Sequence, residues 1–188
     1  MSILNGRIVR LIPLTPSHIE ILSSWRNSDD YITMCTNRRN IVTQEELKAE
    51  LDKDFATDRH EQYMIFHQRS QSFIGTIYSY GLKKCDGYVF VTTFLAPEGR
   101  SGFVGFESFA LMSQHLFQSI HNLHKIYTEV YEYNTASFLP LIRAGFKEEG
   151  RFKEHRFWNK RRWDVFRLAF YRTQLNDAER LIRRLQTD

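Results

Sequence analysis

Cysteine is nearly absent, and the two present, Cys35 and Cys85, form no C-x-x-C pair. That excludes a disulfide framework and gives no zinc-finger spacing. Four prolines, nine glycines and no low-complexity stretch exclude fibrous, collagen-like and linker-divided chains. No apolar run approaches the roughly 20 residues of a bilayer span, and the N-terminal stretch lacks a signal-peptide pattern, so the cytoplasm is the expected compartment and no membrane partner is expected. What remains abundant is aromatic: fifteen Phe and nine Tyr in 188 residues, enough for one packed domain.

The net charge of +4 is uneven, because residues 143 to 172 carry ten Lys or Arg against four Asp or Glu. Alternation of these cations with aromatics reads as the wet face of strands. No nucleic-acid recognition motif accompanies them, so nucleic acid is not an expected partner. His115, His121 and His124 straddle a helix end and do not share a face, so no metal site is expected.

Periodicity predicts the order β-α-α-β-β-β-α-β-α-β-β. A strand in GRIVRLIPLT precedes a helix in PSHIEILSSWRN, capped by Thr15 or Ser17, and a second helix opens at Thr43 with Glu46 in capping-box spacing. Strands follow in QYMIFHQ, SFIGTIYSYG and DGYVFVTTFLAP, the last reading as central. A helix bears the stripe Phe109, Met112, Leu116 and Ile120. HKIYTEVYEY is the next strand, and TASFLPLIRA a short helix ended by Gly145, with Pro140 predicted to kink or shorten it. RFKEHRFW and RWDVFRLAFYR form a closing hairpin, and NDAERLIRRLQ a tail helix that packs back or pairs with a second copy in a homodimer. Residues 1–172 read as one domain and 173–188 as a helical extension.

The loop between the central strand and the long helix holds Gly99, Gly102 and Gly105, with Arg100 and Ser101. Orphan N–H groups at the positive end of a helix suit phosphate oxygens. The loop has neither the G-K-[ST] ending of an NTP loop nor G-x-G-x-x-G spacing.

Residues 97–110 together with 124–150 resemble the core of the GNAT N-acetyltransferase superfamily. The carrying features are NTAS at Asn134 to Ser137, AGF at Ala144 to Phe146, EEG ending at Gly150, and RRWD near the end. The chain is most similar to the branch of ribosomal-protein N-terminal and amino-sugar acetyltransferases, and WRN, Trp25 to Asn27, is shared with amino-sugar members. The resemblance implies an α+β, three-layer fold with a mixed central sheet splayed between two central parallel strands, flanking helices and an extra C-terminal helix.

It also implies acetyl-CoA as cosubstrate, and as acceptor a primary amine on an amino sugar or other small molecule, or on a protein N-terminus. Asn134 would hold the amide-bearing arm of the coenzyme, and Arg100, Ser101, Gly102, Phe103, Val104 and Gly105 its pyrophosphate. A backbone N–H near Phe94 or Leu95 would polarise the acetyl carbonyl, and Ser137 would reprotonate the sulfur. Glu129 is the preferred base, with Tyr78, Tyr80 and His155 as alternatives. Trp25, Arg26, Asn27, Tyr78 and Tyr80 are the expected acceptor contacts. Two positions depart from the family: Phe103 replaces a loop glycine, and Leu141 stands where a general-acid Tyr is frequent. They sustain an alternative, a module of this fold that binds acyl-CoA or a partner without turnover.

Overall fold

A computed structural model of the chain describes residues 1–36, 40–56, 60–100 and 103–176. Eight strands form one sheet: β1 Leu4–Asn5, β2 Val9–Pro13, β3 Glu61–His67, β4 Ser72–Lys83, β5 Tyr88–Leu95, β6 Lys125–Tyr131, β7 Lys147–Trp158 and β8 Arg161–Tyr171. Their spatial order is β1-β2-β3-β4-β5-β6-β8-β7. Only β5 and β6 run parallel, and every other neighbouring pair is antiparallel. The helices are α1 Ile19–Arg26, α2 Asp29–Met34, α3 Gln44–Phe55, α4 Val104–Ser119 and α5 Thr135–Arg143.

Both faces of the sheet are covered, as alternating buried side chains require. On one face Phe109, Met112, Leu116 and Phe117 of α4 pack on Val9, Ile65, Ile77, Val91, Ile126 and Leu168, with Phe138 and Leu141 of α5 at the margin. On the other, Leu22 and Trp25 of α1, Tyr31 of α2 and Leu47 and Leu51 of α3 pack on Met64 and Phe94.

Local chemistry explains most element ends. Thr43 accepts from the Glu46 N–H at 3.2 Å while Glu46 accepts from the Thr43 N–H at 2.9 Å, so the predicted capping box opens α3. The closing hairpin turns at Asn159 and Lys160, whose φ of 49° and 58° match the twist of a two-residue turn.

Three features differ from the sequence expectation. An edge strand, β1, adds to β2. The six-residue α2 has no counterpart in the predicted order; Ser28 caps it by accepting from the Tyr31 N–H at 3.2 Å. Helix α5 runs through Pro140 and ends three residues later at Arg143, since the carbonyl that proline leaves unpaired belongs to exposed Ala136. The tail helix expected over residues 176–186 lies almost wholly outside the described residues.

Candidate active site

The ladder between β5 and β6 has three residue pairs, Tyr88–Lys125, Val89–Ile126 and Phe90–Tyr127, and then stops. Both strands continue. β5 stays paired with β4 as far as Leu95, and β6 with β8 as far as Tyr131. The sheet therefore parts between its two parallel strands, leaving main-chain groups of β5 without a strand partner on that side.

Which groups face the opening follows from ladder alternation. The Ala96 N–H donates to the Ile74 carbonyl at 2.9 Å across the Gly75–Leu95 pair, so Leu95 turns its own N–H and C=O away from β4 and into the gap. Phe94, one residue earlier, turns its main chain to β4. Its contribution is a buried ring, 5.0 Å from Tyr31 and 6.0 Å from Trp25 between centroids.

Helix α4 begins beside this opening. Phe103 is its N-cap with φ −99° and ψ 15°, a conformation open to any residue, and its ring is 48% exposed, turned to solvent. The missing glycine therefore leaves the helix start intact. Val104 is buried, and a Cβ on Gly105 would lie 3.3 Å from Leu95 Cδ1, so the first turn packs closely on the end of β5. Arg100 donates from Nε to the Leu95 carbonyl at 2.9 Å and pairs through Nη2 with Asp30 of α2 at 2.8 Å. Ser101 and Gly102 lie outside the described residues.

Across the gap, Asn134 is the N-cap of α5, yet its side chain makes no cap bond; its main-chain carbonyl accepts from the N–H groups of Ser137 and Phe138 instead. Ser137 stands one turn into that helix, half-buried. Serines inside α4 return their hydroxyls to the helix, Ser108 to Val104 at 2.8 Å and Ser113 to Phe109 at 2.7 Å. The Ser137 hydroxyl has no such bond among the described residues. Leu141, one turn on, packs against the α4-side core.

Glu129 projects from β6 onto the face opposite α4 and α5, where Arg167 of β8 donates to its Oε1 from Nε at 3.1 Å and Nη2 at 2.7 Å. Arg167 is itself held over the rings of Phe90 at 5.0 Å and Phe152 at 4.9 Å. The same face carries a run of rings, Tyr78 to Tyr80 at 5.8 Å, Tyr80 to Phe90 at 5.4 Å and Phe90 to Tyr127 at 5.4 Å. Tyr31 and Tyr78 join hydroxyls at 3.3 Å, and Arg26 adds to Tyr31 at 3.3 Å while pairing with Glu50 at 3.1 Å. Burial raises the Tyr78 hydroxyl well above its ordinary pKa and also raises Tyr31 and Tyr80, so at neutral pH each is a phenol donor and not a base. Burial likewise pushes the Cys35 thiol up to about 12.

The WRN residues separate. Arg26 reaches the tyrosine pair, Trp25 is buried in the core, and Asn27 spends its side-chain amide on both main-chain groups of Val42, each at 2.9 Å. His155 sits out on β7 beside Phe152. His115 pairs with Glu61 at 2.7 Å, away from His121 and His124 in role, and among the described residues no three acidic, His or Cys side chains gather for a metal. Asp30, Tyr31 and Arg167 carry no sequence signal of their own, since each gains meaning only from a partner distant in the chain.

The far end of β6 is pinned by Glu149 of β7, which accepts from Lys125 at 2.8 Å, Tyr127 at 2.6 Å and Tyr171. Burial works against this carboxylate, but the three donors outweigh it and hold its pKa down to about 2, from an ordinary 4.5. A depressed carboxyl stabilises the fold above its unfolded pKa and loses that contribution as pH falls toward the folded value. Glu149→Gln is therefore expected to be less stable than wild type by about 1 kcal/mol near pH 6, after allowance for solvent screening, with the difference closing between pH 4.5 and about 2. Urea melts at stepped pH check this; a gap that stayed constant across the window would remove Glu149 from the account.

Residues 13–166 match the acetyltransferase (GNAT) domain family. The chain belongs to that family, whose members move an acetyl group from acetyl-CoA to an amine. The fold agrees with solved structures of low identity. A spermidine N-acetyltransferase from Vibrio cholerae, in complex with CoA and spermine, is 19% identical with a TM-score of 0.81, over 91% of this chain and 99% of that one. RimL, a ribosomal L7/L12 alpha-N-protein acetyltransferase in complex with coenzyme A, is 16% identical with a TM-score of 0.78, over 90% and 98%. A GCN5-related N-acetyltransferase from Brucella melitensis is 20% identical with a TM-score of 0.77, over 97% and 84%. No protein of curated function matches the sequence.

Proposed function

We propose that this chain acetylates a primary amine carried by a small molecule or a peptide N-terminus, with the coenzyme in the opening between β5 and β6 and the acceptor on the aromatic face opposite α4 and α5. The observation that carries the reading is the parallel ladder that stops after three pairs, with the Leu95 edge and the first turn of α4 at its mouth. Main-chain donors there, at positions 103–105, take the pyrophosphate with Arg100, Asn134 takes an amide of the arm, and Ser101 and Gly102, outside the described residues, are the remaining expected pyrophosphate contacts. The coenzyme supplies the activated acetyl thioester. The Leu95 N–H polarises the carbonyl, and Phe94 places that strand end against Trp25 and Tyr31.

Amine attack needs a base to take the ammonium proton. Glu129 is placed for it: Arg167 holds one of its oxygens, leaving Oε2 to take the proton from the ammonium. As the C–S bond breaks, the proton that the attacking nitrogen gives up passes to the departing sulfur through water and the Ser137 hydroxyl, which regains a proton as it donates one. Arg26, Tyr78 and Tyr80 line the acceptor side, whereas Trp25 and Asn27 act from behind by fixing the end of α1. Sulfur chemistry in a reducing cytoplasm fits two free cysteines. No helix of the described residues is long and apolar enough to cross a membrane, and membrane and nucleic acid have no part in the reading. A homodimer would rest on residues 176–186, of which all but Asn176 lie outside those described.

The relatives act on a ribosomal protein and on spermidine, as their names state, so the test spans both chemistries. Wild-type protein is melted with and without acetyl-CoA, and free thiol release is followed with amino sugars, polyamines and peptides bearing a free N-terminus. A raised melting temperature together with thiol release for one amine class is expected. Stabilisation without release across the whole panel favours the non-catalytic module that Phe103 and Leu141 suggest, and no stabilisation ends the coenzyme assignment.

A further inference from the structure

We propose that Asp30 is a positioning residue that controls entry of the coenzyme, by holding Arg100 as a strap across the open edge of β5. The proposal rests on the acetyl-CoA reading above. Leu95 presents its carbonyl to the gap, and that carbonyl is taken by Arg100 Nε at 2.9 Å. An amide-bearing arm laid along β5 like an added strand needs the same main-chain acceptor. The guanidinium is kept there from the other side by Asp30 Oδ2, 2.8 Å from Nη2. One planar cation thus spans the cofactor edge of the sheet and the acceptor-side helix α2.

The strap is built to open. Its two ends are 44% and 43% exposed, so the ion pair is weak and yields to a stronger anion, whereas a buried pair would not. A pyrophosphate at the α4 N-terminus is such an anion, and a guanidinium drawn to it leaves the Leu95 carbonyl. Helix α2 does not come loose with it, because the Thr33 carbonyl still accepts from the Tyr133 hydroxyl at 2.7 Å and the Ile32 carbonyl from Arg156 at 3.2 Å. Asp30 therefore sets a threshold for coenzyme binding and not the shape of the acceptor side. Its neighbour Asp29, on the same helix turn and of the same charge, has no bond to Arg100.

The test is calorimetric titration of acetyl-CoA into wild type, Asp30→Asn, Asp29→Asn, Arg100→Gln and the Arg100→Gln/Asp30→Asn double variant. Asp30→Asn is expected to bind about three- to fivefold tighter than wild type, the range of an exposed ion pair, and Asp29→Asn to change by less than about twofold. In the Arg100→Gln background the Asp30→Asn gain is expected to vanish, which separates the strap from the general benefit of removing a negative charge near a polyanion. Weaker or unchanged binding in Asp30→Asn, a matching gain in Asp29→Asn, or a gain that survives in the double variant each overturns the strap alone. Failure of wild type to bind acetyl-CoA overturns the coenzyme reading and the strap with it.

Discussion

Replacing Ser137 by alanine is expected to slow thiol release by about 100-fold while the acetyl-CoA dissociation constant stays within about twofold of wild type. The split follows from where the hydroxyl stands. It lies in the first turn of α5, three residues after the Asn134 that caps the helix, and it is not consumed by the helix as the hydroxyls of Ser108 and Ser113 are. A hydroxyl free to rotate donates to a developing thiolate directly or through one water, and its loss raises the barrier only where that charge appears. The coenzyme arm is gripped elsewhere, by Leu95 and Asn134, so affinity is spared. Leu141 sharpens the expectation, because the hydrocarbon at that position packs into the core and offers no second proton donor. Stopped turnover with unchanged affinity supports Ser137 as the acid. Turnover within a few-fold of wild type assigns the proton to solvent, and a matching loss of affinity makes Ser137 part of the binding wall.

The largest effect on stability is expected at Glu107, the buried carboxylate of α4. It accepts from three successive main-chain N–H groups, Arg7 at 2.9 Å, Ile8 at 2.8 Å and Val9 at 2.8 Å, and so ties the start of β2 to the helix. The cradle is close enough that a Cβ on Gly6 would fall 2.7 Å from the carboxyl carbon, so glycine is needed there for room. Hydrogen bonds to a charged acceptor contribute about 1.5–3 kcal/mol each, and buried N–H groups left alone cost a similar amount. Because water can reach Arg7 and Ile8 more easily than Val9, Glu107→Ala is expected to lose about 4 kcal/mol and not the full sum. Glu107→Gln, which keeps an acceptor oxygen, should lose about half as much. Urea midpoints at constant slope measure both; a loss below about 1 kcal/mol in the alanine variant would mean that the N-terminal hairpin is held by its strand pairing alone.

Much of the framework around the candidate site was legible before folding because its signals are local. Asn134 follows a strand and precedes a helix, Gly145 stops that helix with φ of 101°, and Thr43 with Glu46 opens α3; each depends on residues within a few positions. The short helix α2 escaped notice because six residues leave no periodicity to detect. The WRN stretch was read for the acceptor, but Asn27 turned out to spend its amide on Val42, fifteen residues away, a contact that no local pattern encodes.

The amino-acid order by itself determined the alternation of strands and helices and the loop-to-helix step that suits an anion, since these arise from side-chain period, capping and backbone freedom within short windows. Only the tertiary structure decided that Leu95 and not Phe94 faces the gap, that Arg167 holds Glu129, and that Asp30 reaches Arg100. Those outcomes depend on strand register and on pairs separated by 38 and 70 positions, and a pairing of that kind exists only once the sheet has been assembled.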